Sequence, residues 1–343
     1  MTSNSALLCS LGILTSGYAG AAPRLEPATR AFIGGLSGPP IYTLTPDAAR
    51  AVLSSVQKSV TVTLPKVASE DRVLKLGPLR RTNIRVVRPA AAKGQLPVIV
   101  YMHGGGWILG DKETHDRLVR ELAVGTGAVI VFVDYDRSPE SHFPVAIEEG
   151  YAVLKYVAEH GTEFGADPTR LAIAGDSVGG NMTAVLALMA KERGGPALAA
   201  QVLLYPVTDS SLSSASYNEF ADGPWLTKKA MEWFWDAYLP DASKRSDVHA
   251  SPINATPEQL KGLPQALVIV DQNDVLRDEG EAYAYQLAQT GVPVTAVRYN
   301  GTIHDFMMLN PIANTPPVRG AIDQTCSYLR GVFSKKSTTL AKR

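Results

Sequence analysis

Cysteine is almost missing from this sequence, since only Cys9 and Cys326 occur among 343 residues. Two cysteines this far apart supply neither a disulfide framework nor the paired spacing of a zinc site. A bridge between them would require the two ends of the chain to meet, which we do not expect. The six histidines show no H-E-x-x-H or similar pair of ligands either. The sequence therefore predicts no catalytic metal.

An excess of charge of either sign is also missing. Lysine plus arginine and aspartate plus glutamate number 33 each, which leaves a formal net charge of zero. Such a chain has no overall field that would attract nucleic acid or an anionic membrane. Beyond the first two dozen residues, no stretch approaches the roughly 18 uninterrupted apolar residues of a membrane span. We expect a small-molecule partner, no nucleic acid and no stable membrane insertion, and we leave a homodimer open.

The first 24 residues form a leader with two interpretations. "ALLCSLGIL" at 6–14 has the length of a signal-peptide core, and "YAGAAP" at 18–23 contains an A-x-A cleavage site, but no basic residue precedes Arg24. We favour a start-site extension or a disordered leader, on a cytoplasmic protein. The alternative is a signal peptide cleaved near Ala21, which would make the protein secreted or periplasmic.

What the sequence does contain is a regular alternation of strand and helix signals. The chain is 45% hydrophobic and 19% charged, enough for one large α/β domain. Helical stretches such as 143–161 lie between most of the strand signals, which predicts a mostly parallel sheet covered by helices on both faces. Chemistry in such a sheet gathers at the carboxyl ends of the strands. The strand-like stretches are 83–89, 96–102, 128–134, 170–176, 199–206, 265–271 and 293–299.

A serine stands between one of these strands and a helix. In "IAGDSVGGN" at 173–181, Ser177 follows an apolar strand and precedes a stretch of strong helix formers. This is the context of a G-x-S-x-G nucleophile elbow, in which Gly175 and Gly179 leave room for a sharp turn. The alternative is a glycine-rich turn with a capping serine.

A glycine loop follows an earlier strand. "YMHGGGWILGD" at 101–111 exposes backbone N–H groups that could face the oxyanion formed when a serine attacks an ester. Each such donor is worth roughly 3 kcal/mol in a dry site. A phosphate cradle is the alternative, but no G-K-[ST] follows the loop.

A nucleophilic serine also requires a base and an acid, which follow it along the chain in this fold. His249 and His304 are the histidines after Ser177, and His304 is the better candidate because it sits in a turn after the last strand signal. His249 is expected to be a surface or packing residue.

Three aspartates are candidates for the acid. Asp271, Asp274 and Asp278 all follow the strand signal at 265–271. Asp271 is close enough to the strand to serve in structure, and Asp278 could cap the next helix. Spacing alone leaves Asp274 only modestly ahead of the other two.

Four ordered motifs carry a family resemblance. "HGGGW" at 103–107, "GDSVGGN" at 175–181, "DVLRDEG" at 274–280 and "HDF" at 304–306 resemble the bacterial hormone-sensitive-lipase-like esterases, family IV of the α/β-hydrolase superfamily. The resemblance runs from about 25 to about 333. It implies hydrolysis of short-chain carboxylic esters through an acyl-enzyme, without a metal or other cofactor. It assigns Ser177 as nucleophile, Asp274 as acid and His304 as base.

The same resemblance assigns roles around the triad. Gly105, Gly106 and the amide of Val178 would form the oxyanion hole, and His103 would hold the glycine loop by hydrogen bonds without doing chemistry. The other structural residues near the site would be Gly104, Gly175, Asp176 and Gly179. Two rival functions stay open, namely amide or formamide hydrolysis on the same triad and a non-catalytic binding protein of this fold.

The resemblance also suggests a domain organisation. Segments 25–60 and 208–252 do not fit the strand alternation and match the family's helical cap. The catalytic domain would comprise 61–207 and 253–333, followed by a basic tail at 334–343. Five aromatics of the second cap segment could line a substrate pocket, although packing against the sheet domain is the commoner outcome. They are Trp225, Trp233, Phe234, Trp235 and Tyr238.

Several positions depart from the family pattern. Val178 replaces the usual alanine after the nucleophile, "DVLRD" lacks the usual proline, and the loop "DYDRSPESHFP" at 134–144 differs from the family's version. Asp305 stands where glycine often follows the base. Its carboxylate could raise the pKa of His304 if it pointed inward, but we expect a solvated side chain.

Overall fold

The structure is a computed structural model that describes residues 24–335. The predicted cleavage site near Ala21, Cys9 and most of the basic tail lie outside this range. Cys326 is a buried free thiol. Within the described residues, no helix is both long and apolar enough to cross a membrane.

The described residues form one eight-stranded sheet. Its spatial order is β1-β2-β4-β3-β5-β6-β7-β8. The first two contacts, β1 with β2 and β2 with β4, are antiparallel, and all later contacts are parallel. The mostly parallel α/β sheet predicted from the sequence is confirmed. The strands are β1 Val67–Leu74, β2 Thr82–Pro89, β3 Leu96–Met102, β4 Val129–Asp134, β5 Ala166–Asp176, β6 Ala200–Leu204, β7 Ala266–Asn273 and β8 Val294–Ile303.

Helices cover the sheet, which explains the apolar composition of its middle strands. In β3 and in β4, all residues but one are buried, and in β6 every residue is buried. The helices α3 and α10 pack against each other, as do α4 and α5. The helices are α1 Pro27–Gly35, α2 Pro46–Lys58, α3 Asp116–Thr126, α4 Val145–His160, α5 Val178–Glu192, α6 Ala215–Glu219, α7 Lys228–Tyr238, α8 Pro257–Leu260, α9 Arg277–Gln289 and α10 Pro316–Ser334.

Strand β1 is an element that the sequence analysis did not predict. Most of its residues are exposed, including the run "ASED" at 68–71. A strand at the edge of a sheet buries little of its length, so it lacks the apolar signal by which the other strands were recognised.

The two segments outside the alternation meet the loops at the carboxyl edge of the sheet. The Arg50 side chain on α2 donates to the carbonyl of Ile108 in the glycine loop at 2.8 Å. Gln57, at the end of α2, donates to the carbonyl of Met308 at 2.9 Å. From the second segment, the carbonyl of Ala250 accepts from the Asn181 amide on α5 at 2.9 Å. Both segments are therefore tied to the loops around Ser177 and His304.

Candidate active site

Ser177 lies at the turn between β5 and α5 in a strained conformation. Its backbone has φ of 56° and ψ of −120°, a region that residues with a side chain seldom occupy. The turn is tight because its glycines pack against backbone. A Cβ at Gly179 would collide with the carbonyl of Met102, and one at Gly175 would collide with Gly179 itself. The strand-turn-helix context expected for a nucleophile elbow is therefore present.

Three side chains from three loops form a hydrogen-bonded chain at this turn. Ser177 Oγ lies 2.8 Å from His304 Nε2, and His304 Nδ1 lies 2.8 Å from Asp274 Oδ2. The other oxygen of Asp274 accepts the amide N–H of Leu276 at 3.0 Å. All three side chains are nearly buried, with exposures of 4% for Ser177, 2% for His304 and 1% for Asp274. The structure thus brings together the predicted nucleophile, base and acid.

The other sequence candidates lie elsewhere or make other bonds. His249 is bonded to Glu192 Oε2 at 2.7 Å, a surface contact as expected. Asp278 does not cap α9, contrary to our expectation, because it lies within the first turn and its carboxylate accepts the amide of Ser216 at 2.8 Å. Asp271 lies on β7, with its Oδ2 4.0 Å from His304 Nδ1.

The predicted oxyanion donors Gly105 and Gly106 line the same cavity as Ser177, and Val178 follows Ser177 in the chain. Gly105 and Gly106 have φ of 109° and 63°, and the loop closes with a 2.7 Å bond from Leu109 N to the carbonyl of Gly105. Val178 is the first residue of α5, where amides point out of the helix and its dipole favours negative charge. Within residues 24–335, the N–H groups of Gly105, Gly106 and Val178 donate to no protein acceptor. They are free to bind an oxyanion.

A buried polar cluster beneath the glycine loop was missed from the sequence. The carboxylate of Asp176, next to the nucleophile, accepts from the amide of Gly104 at 3.1 Å and from the hydroxyl of Tyr101 at 2.7 Å. His115 Nε2 lies 3.2 Å from the other oxygen of Asp176. No sequence signal marks His115 or Tyr101, because each meets Asp176 only across the fold. The cluster ties the glycine loop to the elbow.

His103 lies next to this cluster, with its ring centroid 5.4 Å from that of His115, and its imidazole is neutral. Its Nδ1 is 2.8 Å from the carbonyl of Gly104, and its ring stacks on Tyr135 with the centroids 4.1 Å apart. Burial, together with the charge of His115, lowers the pKa of His103 to about 3. These contacts agree with the loop-supporting role that the family resemblance implies for His103.

Asp305 points inward, so the expectation of a solvated side chain is wrong. Its Oδ2 accepts from Trp225 Nε1 at 2.9 Å, and its Oδ1 lies 3.5 Å from His304 Nε2. Burial by itself disfavours the imidazolium, but the negative charges of Asp274 and Asp305 outweigh this and raise the pKa of His304 to about 9. The sequence could not reveal the contact because the Trp225 donor comes from the distant segment 208–252.

A cavity of about 330 Å³ opens above Ser177 and His304. Its walls are mostly apolar and come from α1, α2, the glycine loop and the segment at 225–234. Trp225 and Phe234 line it, whereas Trp235 and Tyr238 are buried against Trp107. The expectation that these aromatics mainly pack holds for Trp235 and Tyr238, whereas Trp225 and the buried Phe234 also line the cavity.

One group of side chains has the donor atoms of a cation site. Single ligand atoms of Asp271, Asp274 and His304 all lie within 4.8 Å of one another. Both ring nitrogens of His304 are already bonded, to Asp274 and to Ser177. A cation bound to Nδ1 would have to displace the carboxylate of Asp274.

Comparison with known proteins agrees with this geometry. The profile of the α/β hydrolase fold family matches residues 99–308. Carboxylesterase NlhH of Mycobacterium tuberculosis is 39% identical over 279 residues, covering 80% of this chain and 87% of that protein. The crystal structure of a thermostable esterase from Pseudomonas putida superposes with a TM-score of 0.90 at 52% identity, covering 92% of this chain and all of that one.

Fold and family match together define an α/β hydrolase, with a strained serine at the turn between β5 and α5. Within that superfamily the chain belongs to the hormone-sensitive-lipase-like esterase family. It is therefore an enzyme of the carboxylic ester hydrolase class.

Proposed function

We propose that the chain is a carboxylesterase that hydrolyses short-chain esters through an acyl-enzyme on Ser177, His304 and Asp274. The observation that carries the proposal is the continuous bond chain from Ser177 Oγ through His304 to Asp274, at 2.8 Å in each step. A serine hydroxyl becomes nucleophilic when an oriented imidazole accepts its proton. The cavity above the serine supplies the space for the ester.

The reaction would proceed in two halves. Ser177 Oγ attacks the acyl carbon while His304 Nε2 takes the hydroxyl proton, and the amides of Gly105, Gly106 and Val178 bind the oxyanion. The tetrahedral adduct then collapses, and His304 returns the proton to the departing alcohol. In the second half, water gives a proton to His304 Nε2 as it attacks the acyl carbon. His304 then returns the proton to Ser177 Oγ, and the acid is released. Asp274 holds Nδ1 protonated and stabilises the imidazolium throughout.

Two observations support short esters. The cavity, at about 330 Å³, lies at the small end of ligand pockets. Ethyl acetate hydrolase of Pseudomonas putida is a relative at 32% identity over 280 residues. We also propose that segments 25–60 and 208–252 act as the cap that sets the size of this cavity, since both contribute to its walls.

The test is hydrolysis of p-nitrophenyl acetate, butyrate, octanoate and palmitate by the wild type and by Ser177→Ala. We expect activity on acetate and butyrate, weak or no activity on palmitate, and a loss in the variant on the order of 10⁴-fold or more. Thermal melting checks that the variant is folded. Equal activity of the pure variant would overturn the proposal, and turnover of aryl amides without esters would replace it by amide hydrolysis.

A further inference from the structure

Asp271 is a buried carboxyl group that the mechanism above does not use. It lies on β7 beside Tyr299 of β8 and is 0% exposed. Within residues 24–335, no N–H or hydroxyl group hydrogen-bonds to either of its oxygens. A buried carboxylate without donors is costly, and such a group normally takes up a proton. Its environment therefore favours the neutral acid.

The neighbours of Asp271 also favour its neutral, protonated form. Asp274 and His304 both present atoms within 4.8 Å of it. Asp274 already holds the negative charge that faces the imidazole, at 2.8 Å from Nδ1. Two carboxylates this close in a dry site share one negative charge, because the second ionisation is opposed by the first. Burial, then the charges of Asp274 and Asp305, raise the pKa of Asp271 well above its ordinary value.

We propose that Asp271 is a neutral positioning residue whose acid proton is donated in a hydrogen bond to Asp274, fixing the carboxylate that orients His304. The inference rests on the proposed function, because it gives Asp271 a role in the same triad. The proton stays on Asp271 throughout the cycle. Together with the amide of Leu276, which reaches Oδ1 at 3.0 Å, this bond would hold the carboxylate plane of Asp274 in place.

The first test compares Asp271→Asn with Asp271→Val. The amide of asparagine can still donate to Asp274, so we expect a loss in kcat of no more than about threefold. Valine fits a buried strand but cannot donate, and kcat should fall about 10-fold to 100-fold, the worth of one hydrogen bond to a charged group. KM should change little in either variant. Equal losses in both variants would contradict the hydrogen bond.

The second test is the pH dependence of kcat/KM. If Asp271 is neutral, Asp271→Asn leaves the acidic limb where it is, within about 0.3 pH unit. If Asp271 is ionised, the change removes a negative charge 4.0 Å from Nδ1 and moves the limb down by about one unit or more. That shift would overturn the proposal. So would loss of activity in EDTA that added Zn²⁺ restores, since the cluster would then be a cation site.

A third test needs no activity, so it separates this inference from the proposed function. A carboxyl with a raised folded pKa takes up a proton on folding above about pH 4, and its contribution to stability falls as the pH rises. Asp271→Asn should therefore gain in Tm relative to wild type between pH 5 and pH 8. A Tm difference independent of pH would contradict a neutral Asp271, even if Ser177→Ala abolished turnover.

Glu149→Gln is the matched control for all three tests. Glu149 is a buried carboxyl on α4, and burial raises its pKa to about 7. It accepts the amide of Asp136 at 2.9 Å and has no bond to the site, and glutamine keeps that acceptor. We expect the control to gain in Tm with rising pH in the same direction, with kcat and its pH profile unchanged.

Discussion

The site contains two buried histidine–aspartate pairs that differ in what the second ring nitrogen meets. His304 uses Nδ1 for Asp274 and turns Nε2 toward Ser177 and the cavity. His115 uses Nε2 for Asp176, at 3.2 Å, and its Nδ1 is bonded to Thr114 Oγ1 at 3.0 Å. In one pair the second nitrogen meets a serine hydroxyl beside the cavity, and in the other it meets a threonine away from Ser177.

Burial and charge do not separate the two pairs. Burial by itself lowers the pKa of His115, as for His304, but the charge of Asp176 and its hydrogen bond outweigh burial and raise it. A search for a buried histidine with a raised pKa would therefore select His115 as readily as His304. What distinguishes them is geometry, since only His304 reaches the strained serine. The Asp176 pair instead holds the amide of Gly104 and thereby the oxyanion loop.

Removing the negative charge of the His304–Asp274 pair, the proposed catalytic pair, should have the largest effect. We expect Asp274→Asn to lower kcat on the order of 10⁴-fold, because His304 loses the partner that sets its tautomer. Steady-state hydrolysis of p-nitrophenyl butyrate measures the loss. Asp278→Asn is the matched control on the same segment and should stay near wild type. If Asp271→Asn caused the loss instead, the acid would be misassigned.

Removing the charge of the second pair should affect stability more than chemistry. Asp176→Asn leaves the buried His115 without its counter-ion, and we expect the free energy of unfolding to fall by about 3 kcal/mol or more. We expect kcat to fall only about 10-fold to 100-fold, since the asparagine oxygen can still accept the Gly104 amide without the charge that strengthens that bond, while Ser177 and His304 stay in place. Urea unfolding and kinetics on one preparation measure both. A kcat loss as large as that of Asp274→Asn would erase the distinction between the pairs.

The smallest effect is expected at Asp305, which lies beside His304 but outside the bond chain from Ser177 to Asp274. Asp305→Asn keeps an acceptor for Trp225 Nε1 but removes a negative charge 3.5 Å from His304 Nε2. The pKa of His304, raised to about 9, should fall, and the acidic limb of kcat/KM should move down by about one unit or less. An unmoved limb would show that the carboxylate does not act on the base.

The same raised pKa affects stability in a defined pH range. Protonated His304 stabilises the fold fully below about pH 6.5, and this contribution is lost as the pH rises through about 9. Asp305→Asn lowers the pKa of His304, so the variant should lose this contribution to stability at a lower pH than the wild type. Melting temperatures of wild type and variant, measured between pH 6 and pH 10, check this. The difference in Tm should be largest near pH 6 and close as the pH rises. A difference that closed at low pH instead would show that other groups carry the effect.

Much of the fold could be predicted because buried strands and amphipathic helices leave local patterns. The strand signal at 96–102 coincides with β3, and the one at 128–134 differs from β4 by a single residue. The exposed edge strand β1 left no such pattern. Among the site residues, Ser177 and the glycine loop could be predicted from motifs, and His304 from its place after the last strand.

The remaining site contacts could not be predicted, because they join residues far apart in the chain. Asp305 was expected in solvent, yet it meets Trp225, which lies 80 positions away. His115 meets Asp176 across 61 positions. Spacing left three aspartates open as the acid, and family resemblance favoured Asp274. In the structure its carboxylate, unlike those of Asp271 and Asp278, is within hydrogen-bond distance of Nδ1.

The elbow and the glycine loop are local features, because Gly175, Gly179 and the glycines at 104–106 set the backbone sterics of these turns. The order of strands and helices likewise placed these turns at one edge of the sheet. Only the tertiary structure decided which carboxylate bonds to which histidine and which carboxyl group is left without donors. Hydrogen bonding and desolvation depend on distances between separate strands and loops, and no local periodicity encodes those distances.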